Sequence, residues 1–175
     1  MKEVRPTTGK TLAALFSILG SMDGFGSHME GQNFLDLFSG TGRVAKAAKD
    51  RGADIVTVEL VRDRASEIRR TLGSDGHIQL CMDVRRALKW IEKHEMSFDI
   101  IFADPPYDMR WMEVLPTILF NHTKILKPNG IVILEHSIEE KLKLDGTTWQ
   151  VFDERRYGIS SLTFMRLGSD TTQPV

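Results

Sequence analysis

Several features that mark large classes of protein are scarce in this chain. It has one cysteine, Cys81, in 175 residues, which excludes an intrachain disulfide, and we expect this small side chain in the core. The 23 basic and 24 acidic side chains give a net charge of -1, which excludes binding of nucleic acid by bulk charge alone. No apolar run approaches the roughly 20 residues of a membrane-spanning helix, and no N-terminal signal segment is evident. We therefore expect a cytoplasmic protein without membrane contact.

Metal-ligand spacing is also lacking. The five histidines are scattered along the chain, and no second cysteine is present to complete a set of zinc ligands, so we predict no metal site. The length suits one folded domain. We divide it into a leading helix and loop at 1–32, a core at 33–167 and a tail at 168–175.

Short apolar runs alternate with amphipathic stretches from residue 32 onward, the pattern of parallel strands joined by helices. We predict strands at 33–38, 54–59, 78–83, 98–104 and 130–135, and helices at 7–19, 43–51, 61–72, 84–95 and 111–126. Two further strand-like segments, 149–157 and 160–164, are separated only by Gly158-Ile159, which indicates an antiparallel hairpin. The expected class is α/β, with a mostly parallel sheet that ends in this hairpin.

Residues at the carboxyl ends of the predicted strands are the first candidates for a binding site, because open α/β sheets bind ligands there. The first strand runs into Gly40-Thr41-Gly42, and Glu59 ends the second strand where a carboxylate can bind a ribose diol. Asp83, after Met82, is placed to meet an adenine amino group. The glycine pattern is incomplete for a dinucleotide, and Asp36 and Glu59 would repel a pyrophosphate. A cationic cofactor, S-adenosylmethionine, fits better than a nicotinamide dinucleotide.

The fourth strand ends in Asp104-Pro105-Pro106-Tyr107, the most specific motif in the chain. Two prolines stiffen the loop and remove two N–H donors, which leaves carbonyl oxygens as acceptors. Asp104 and the Pro105 carbonyl can accept the two hydrogens of an exocyclic amine while Tyr107 stacks on the base. The motif therefore predicts methyl transfer to the amine of a base, for which orientation matters more than a strong general base.

Together, Asp36-x-Phe38-Ser39-Gly40-Thr41-Gly42, Glu59 and Asp104-Pro105-Pro106-Tyr107 resemble the amino-group branch of the S-adenosylmethionine-dependent methyltransferases. More closely, the chain resembles the RsmD-like family, which methylates guanine N2 of 16S ribosomal RNA. Arg5-Pro6-Thr7 and Tyr157-Gly158-x-Ser160 extend that resemblance over nearly the whole length.

The resemblance implies the Rossmann-like, seven-stranded methyltransferase sheet and ribosomal RNA as the partner, within a 30S particle, for a monomeric enzyme. It implies that the catalytic residues are Asp104 to Tyr107 and that substrate contacts include Arg5, Thr7 and Tyr107. The cofactor-binding residues that it implies are Asp36, Phe38, Ser39, Gly40, Thr41, Gly42, Glu59, Leu60, Met82, Asp83 and Asp104.

Other functions stay open at the level of sequence. Asp-Pro-Pro-Tyr suits adenine N6 of DNA or RNA as well as guanine N2. A protein glutamine is a weaker candidate, since that branch typically has Asn in place of Asp104. A non-catalytic module for RNA binding or assembly would keep the fold without the chemistry, and a nicotinamide oxidoreductase is disfavoured by the glycine pattern.

Overall fold

The computed structural model describes residues 9–169, apart from the side chain of Asp108. The helices are α1 (Gly9–Ser21), α2 (Arg43–Lys49), α3 (Arg62–Leu72), α4 (Val84–Lys93) and α5 (Trp111–Phe120). The strands are β1 (Asn33–Leu37), β2 (Asp54–Val58), β3 (His77–Leu80), β4 (Phe98–Ala103), β5 (Leu126–Ser137), β6 (Trp149–Tyr157) and β7 (Ser160–Leu167). Single 3-10 turns occur at Tyr107–Met109 and Thr123–Ile125.

All seven strands form one sheet in the order β3-β2-β1-β4-β5-β7-β6. The first five strands are parallel, with Leu37 aligned to Val58 and to Ala103, whereas β7 is antiparallel to both β5 and β6. The predicted α/β class, the mostly parallel sheet and the antiparallel C-terminal hairpin are all confirmed.

Two apolar cores lie on opposite faces of the sheet, because side chains alternate along each strand. One core contains alternate strand residues such as Leu35, Ile101 and Leu134 together with α4 and α5. The other contains Phe34, Phe102 and Ile133 together with α1, α2 and α3. We call the second the α1 face, and its position matters for the site below.

Several predicted boundaries were wrong. The helix predicted at 111–126 ends at Phe120, because Asn121 closes it and the chain must re-enter the sheet by Leu126. The third strand ends at Leu80 and not at Asp83, since Asp83 begins α4. Cys81 is exposed instead of buried, because it lies in the short connection after β3.

A cavity of about 460 Å³ opens at the amino-terminal edge of the sheet, where Asn33, Asp54, His77 and Phe98 line it. This edge is opposite to the one that the sequence motifs select. Within residues 9–169, no helix is long and apolar enough to cross a membrane, and no three His, Cys, Asp or Glu side chains are grouped to hold a metal ion.

Candidate active site

The strand order reverses between β1 and β4, which is where ligands enter parallel sheets of this kind. On one side of this boundary β1 is followed in the sheet by β2 and β3, and on the other side β4 is followed by β5. The Gly40-x-Gly42 loop follows β1 and the Asp104–Tyr107 motif follows β4. The fold therefore brings the two strongest sequence motifs to neighbouring positions at one edge.

The loop after β1 has positive φ at alternate residues: Phe38 (60°), Gly40 (54°) and Gly42 (75°). A positive φ is uncommon for a residue with a side chain, so Phe38 needs support from its surroundings. Its ring packs edge-on against Trp111, with the centroids 4.8 Å apart. Phe38 thus joins this loop to α5, and Trp111 belongs to the core.

Gly42 has a structural role that its motif did not indicate. A Cβ built there would lie 3.0 Å from Ile68 Cγ1 of α3. Gly42 also begins α2 in a left-handed conformation. The residue is therefore required for the turn and for the packing of α2 on α3.

We expect Gly42→Ala to lower the free energy of unfolding by more than the roughly 1–2 kcal/mol of left-handed strain. The matched control is Gly146→Ala, because Gly146 has a φ of 74° with no atom within 4 Å of the added Cβ. Urea unfolding of both variants measures the difference. Equal losses would contradict the contact with Ile68.

Ser39 links the two strands that carry the acidic residues. Its hydroxyl donates to the Asp36 carbonyl at 2.7 Å and accepts from the Val58 N–H at 3.1 Å. Its N–H donates to the Val58 carbonyl at 2.9 Å. The Ser39 side chain therefore holds β1 against β2, and this structural role was not evident from the motif.

Asp36 is a buried carboxyl group on the α1 face, only 1% exposed, and it accepts a 3.2 Å hydrogen bond from the Ala45 N–H. Burial raises the pKa of Asp36 from 3.8 to about 8; the Ala45 N–H opposes this shift, and the negative charge of Glu59 adds to it. A cationic ligand beside the two carboxylates would favour the ionised form of Asp36.

The shift of Asp36 predicts that stability falls as pH rises. Because the pKa is higher in the folded state, that state binds more protons between pH 3.8 and about 8, so the stabilisation is complete below this window and lost above it. At about 1.4 kcal/mol per pKa unit the full change amounts to several kcal/mol.

Urea unfolding at pH 5 and pH 8 should show a smaller pH-dependent loss for Asp36→Asn than for the unmodified protein. Asp50→Asn is the control, since Asp50 is exposed and pairs with Lys46 on the surface. The same pH dependence in the unmodified protein and in Asp36→Asn would contradict the assignment.

Glu59 joins the loops after β1 and β2. Its Oε2 accepts from the Gly40 N–H and its Oε1 from the Val61 N–H, both at 2.8 Å. Arg64 Nη1 lies 4.0 Å from Oε1. Glu59, the predicted ribose-binding residue, is therefore held in place by both loops. Each of its oxygens accepts one backbone hydrogen bond and keeps a further lone pair as an acceptor.

The remaining predicted cofactor residues differ in their surroundings. Asp83 caps α4, because its Oδ1 accepts from the Arg85 N–H at 2.8 Å. Met82 is half-buried, whereas Thr41 is exposed and Leu60 is 65% exposed. These residues lie at the carboxyl edge, where the motif predicts them, and Asp83 also caps α4.

Asp104-Pro105-Pro106 leads from β4 into the turn that begins at Tyr107. Asp104 and Tyr107 are half-buried, Pro105 is buried and Pro106 is exposed. The Tyr107 hydroxyl lies 3.4 Å from Ser160 Oγ, at the start of β7. Since β5 separates β4 from β7, the motif reaches across the end of β5.

The predicted substrate residues Arg5 and Thr7 lie outside the described residues. The sequence contained Ser160 in the Tyr157-Gly158-x-Ser160 pattern but did not indicate its contact with Tyr107. A carboxylate near the end of β5, Glu135, is 2% exposed. Its alternation with Ile131 and Ile133 is the signal that places it on the α1 face.

The site suits the cofactor that the motifs imply. Asp36 and Glu59 are both buried and acidic, so they favour a ligand with positive charge and free hydroxyl groups and disfavour a pyrophosphate. S-adenosylmethionine has a sulfonium, an ammonium and a ribose, and the Asp104–Tyr107 motif lies beside the same edge.

Known proteins are similar to this chain in sequence and in fold. A family model described as "Conserved hypothetical protein 95" matches residues 1–166. "Putative rRNA methyltransferase YlbH" of Bacillus subtilis is 30% identical over 147 residues, which cover 79% of this chain and 74% of that protein. "Ribosomal RNA small subunit methyltransferase D" of Buchnera aphidicola is 26% identical over 157 residues, covering 89% of this chain and 77% of that protein.

A solved structure described as "a putative sam-dependent methyltransferase from Streptococcus mutans" has the same fold, with a TM-score of 0.67 at 17% identity, over 87% of this chain and 47% of that chain. The match of the family model over nearly the whole length decides the assignment. The chain belongs to the family described as conserved hypothetical protein 95 and is an RsmD-like methyltransferase.

Proposed function

We propose that this enzyme methylates guanine N2 in 16S ribosomal RNA, acting on the 30S particle as a cytoplasmic, single-domain monomer that needs no metal. The observation that carries the proposal is the position of Asp104-Pro105-Pro106-Tyr107 at the end of β4, next to the acidic cofactor edge of β1 and β2. The names of the relatives support ribosomal RNA as the substrate.

The residues of the motif have separate tasks in this proposal. Asp104 and the Pro105 carbonyl accept the two N–H bonds of the amine, which directs its lone pair away from them and toward the cofactor. Tyr107 stacks on a base that is turned out of its helix. When bound at this edge, S-adenosylmethionine would supply an electrophilic methyl group, and the leaving group would be the neutral thioether S-adenosylhomocysteine.

Proton loss completes the transfer. As the N–C bond forms, the amine becomes a far stronger acid, and its proton passes to Asp104 or to water during or after the step. No strong base is needed beforehand, so positioning and the acceptor groups supply the catalysis.

Near-neutral charge favours a structured particle over free RNA as the substrate. Affinity for free RNA depends on how many phosphates basic side chains neutralise. With a net charge of -1, we propose that recognition depends on the shape of the pocket and on the particle surface.

Adenine N6 remains the second candidate, because Asp104-Pro105-Pro106-Tyr107 suits either exocyclic amine. Mass spectrometry of nucleosides from ribosomal RNA of cells with and without this protein separates the two. We expect one N2-methylguanosine to be lost from 16S RNA in the cells that lack the protein, and mapping it identifies the target. Loss of N6-methyladenosine, or an unchanged profile, would overturn the proposal.

A further inference from the structure

Glu135 is a buried carboxylate that neither the cofactor site nor the methyl transfer uses. Three carboxylates are buried within residues 9–169, namely Asp36, Glu59 and Glu135, and all lie near the carboxyl edge of the sheet. Burial of a carboxylate is costly, so its position calls for a reason. The first two belong to the cofactor edge, whereas Glu135 lies on β5, on the substrate side of Asp104.

The side chain of Glu135 points to the α1 face. Along β5, Ile131 and Ile133 pack in the core of that face, and Glu135 continues the alternation. His136 points the other way, because its ring bonds Thr163 Oγ1 at 2.8 Å. Of these two neighbouring residues, Glu135 is the one on the face that carries Asp36.

The strand that carries Glu135 lies between β4, which leads into Asp104, and β7, whose first residue contacts Tyr107. Ala103 aligns with Leu134 in the parallel pair, so the next residues along, Asp104 and Glu135, are neighbours at the strand ends. On its other side, β7 begins at Ser160, whose hydroxyl meets Tyr107. Adjacent strands lie about 4.8 Å apart, so Glu135 is next to Asp104 at the carboxyl edge of the sheet.

The Watson–Crick edges of the two candidate bases differ beside the amine. Guanine has an N1–H donor next to N2, whereas adenine has an N1 lone pair next to N6. An ionised carboxylate only accepts hydrogen bonds, so it attracts the first arrangement and repels the second. We propose that Glu135 is the specificity residue of this enzyme and accepts the guanine N1–H while Asp104 holds N2, an inference that rests on the proposed guanine N2 activity.

The test uses 2-aminopurine, which keeps the 2-amino group but has a lone pair at N1. Reconstituted small subunits carry guanosine or 2-aminopurine riboside at the mapped target, and kcat/KM is measured for each. We expect the unmodified enzyme to favour guanine by at least about 10²-fold, because a site built for an N–H donor rejects an analogue without it. Glu135→Gln, whose amide can donate to N1, should reduce that ratio to within about tenfold.

Two readouts separate specificity from folding. Glu135→Gln should bind S-adenosylmethionine with the affinity of the unmodified enzyme in calorimetry, and the control Glu139→Gln, an exposed neighbour, should leave the ratio unchanged. Equal rates on both bases for the unmodified enzyme, or an unchanged ratio in Glu135→Gln, would overturn the role of Glu135 alone. Methylation of adenine in place of guanine would overturn the proposed function and this inference with it.

Discussion

Asp104→Ala is expected to reduce kcat/KM for methyl transfer by about 10²–10³-fold, the usual effect of removing one well-placed hydrogen-bonding group from an active site. The residue directly follows β4, whose last residue, Ala103, is aligned with both β1 and β5, so the sheet fixes where Asp104 begins. Without it the amine loses an acceptor, and its lone pair is no longer directed at the methyl group.

Asp104→Asn should retain more activity than Asp104→Ala, because an amide keeps one acceptor oxygen. The control is Asp145→Asn, at an exposed turn. Calorimetry should show that S-adenosylmethionine still binds to Asp104→Ala, which separates chemistry from folding. Full activity of Asp104→Ala would refute the mechanism without contradicting the fold.

Glu59→Ala is expected to have the largest effect on cofactor binding. The substitution removes the acceptor for two backbone N–H groups, of Gly40 and Val61, and each bond to a charged group is worth about 1.5–3 kcal/mol. The loop after β1 then loses its hydrogen bond to the residue that follows β2, and the ribose loses the carboxylate that we predict to bind it. We expect the Kd for S-adenosylmethionine to rise at least about 10²-fold, together with a loss of several kcal/mol of stability.

Glu59→Gln separates the two effects, since its amide oxygen preserves one of the two backbone bonds. Glu67→Gln is the control, because Glu67 belongs to an exposed ion pair on α3, which contributes little to stability. Calorimetry below the unfolding temperature isolates binding by the folded protein. An unchanged Kd in the Glu59 variants would mean that this residue only joins the loops.

The sequence was sufficient for the architecture and for placing the candidate site residues at one edge of the sheet. Continuous apolar runs predict buried parallel strands, and residues near or just after the strand ends, such as Asp36, Glu59 and Asp104, must then share one edge. Only Gly158-Ile159 separates the last two strands, which made the hairpin predictable as well.

What the sequence did not reveal depends on contacts between distant residues. Gly42 packs on Ile68, 26 positions away, and the Ser39 hydroxyl accepts a hydrogen bond from Val58. The motif indicated only a cofactor contact for these two residues. Asp83 follows a strand in the chain but caps a helix in the fold, because β3 ends three residues earlier. The direction of the Glu135 side chain depends on how β5 is aligned with its neighbouring strands, and one segment of sequence does not contain that alignment.

Methyl transfer in a purified system shows whether this enzyme modifies a guanine amine and whether Asp104 is needed for the reaction. Small subunits from cells that lack this protein are incubated with the enzyme and labelled S-adenosylmethionine, and the RNA is digested to nucleosides for mass spectrometry. We expect label in N2-methylguanosine of 16S RNA with the unmodified enzyme, and about 10²–10³-fold less with Asp104→Ala. Label in N6-methyladenosine, or equal label with Asp104→Ala, would rule out the proposed reaction.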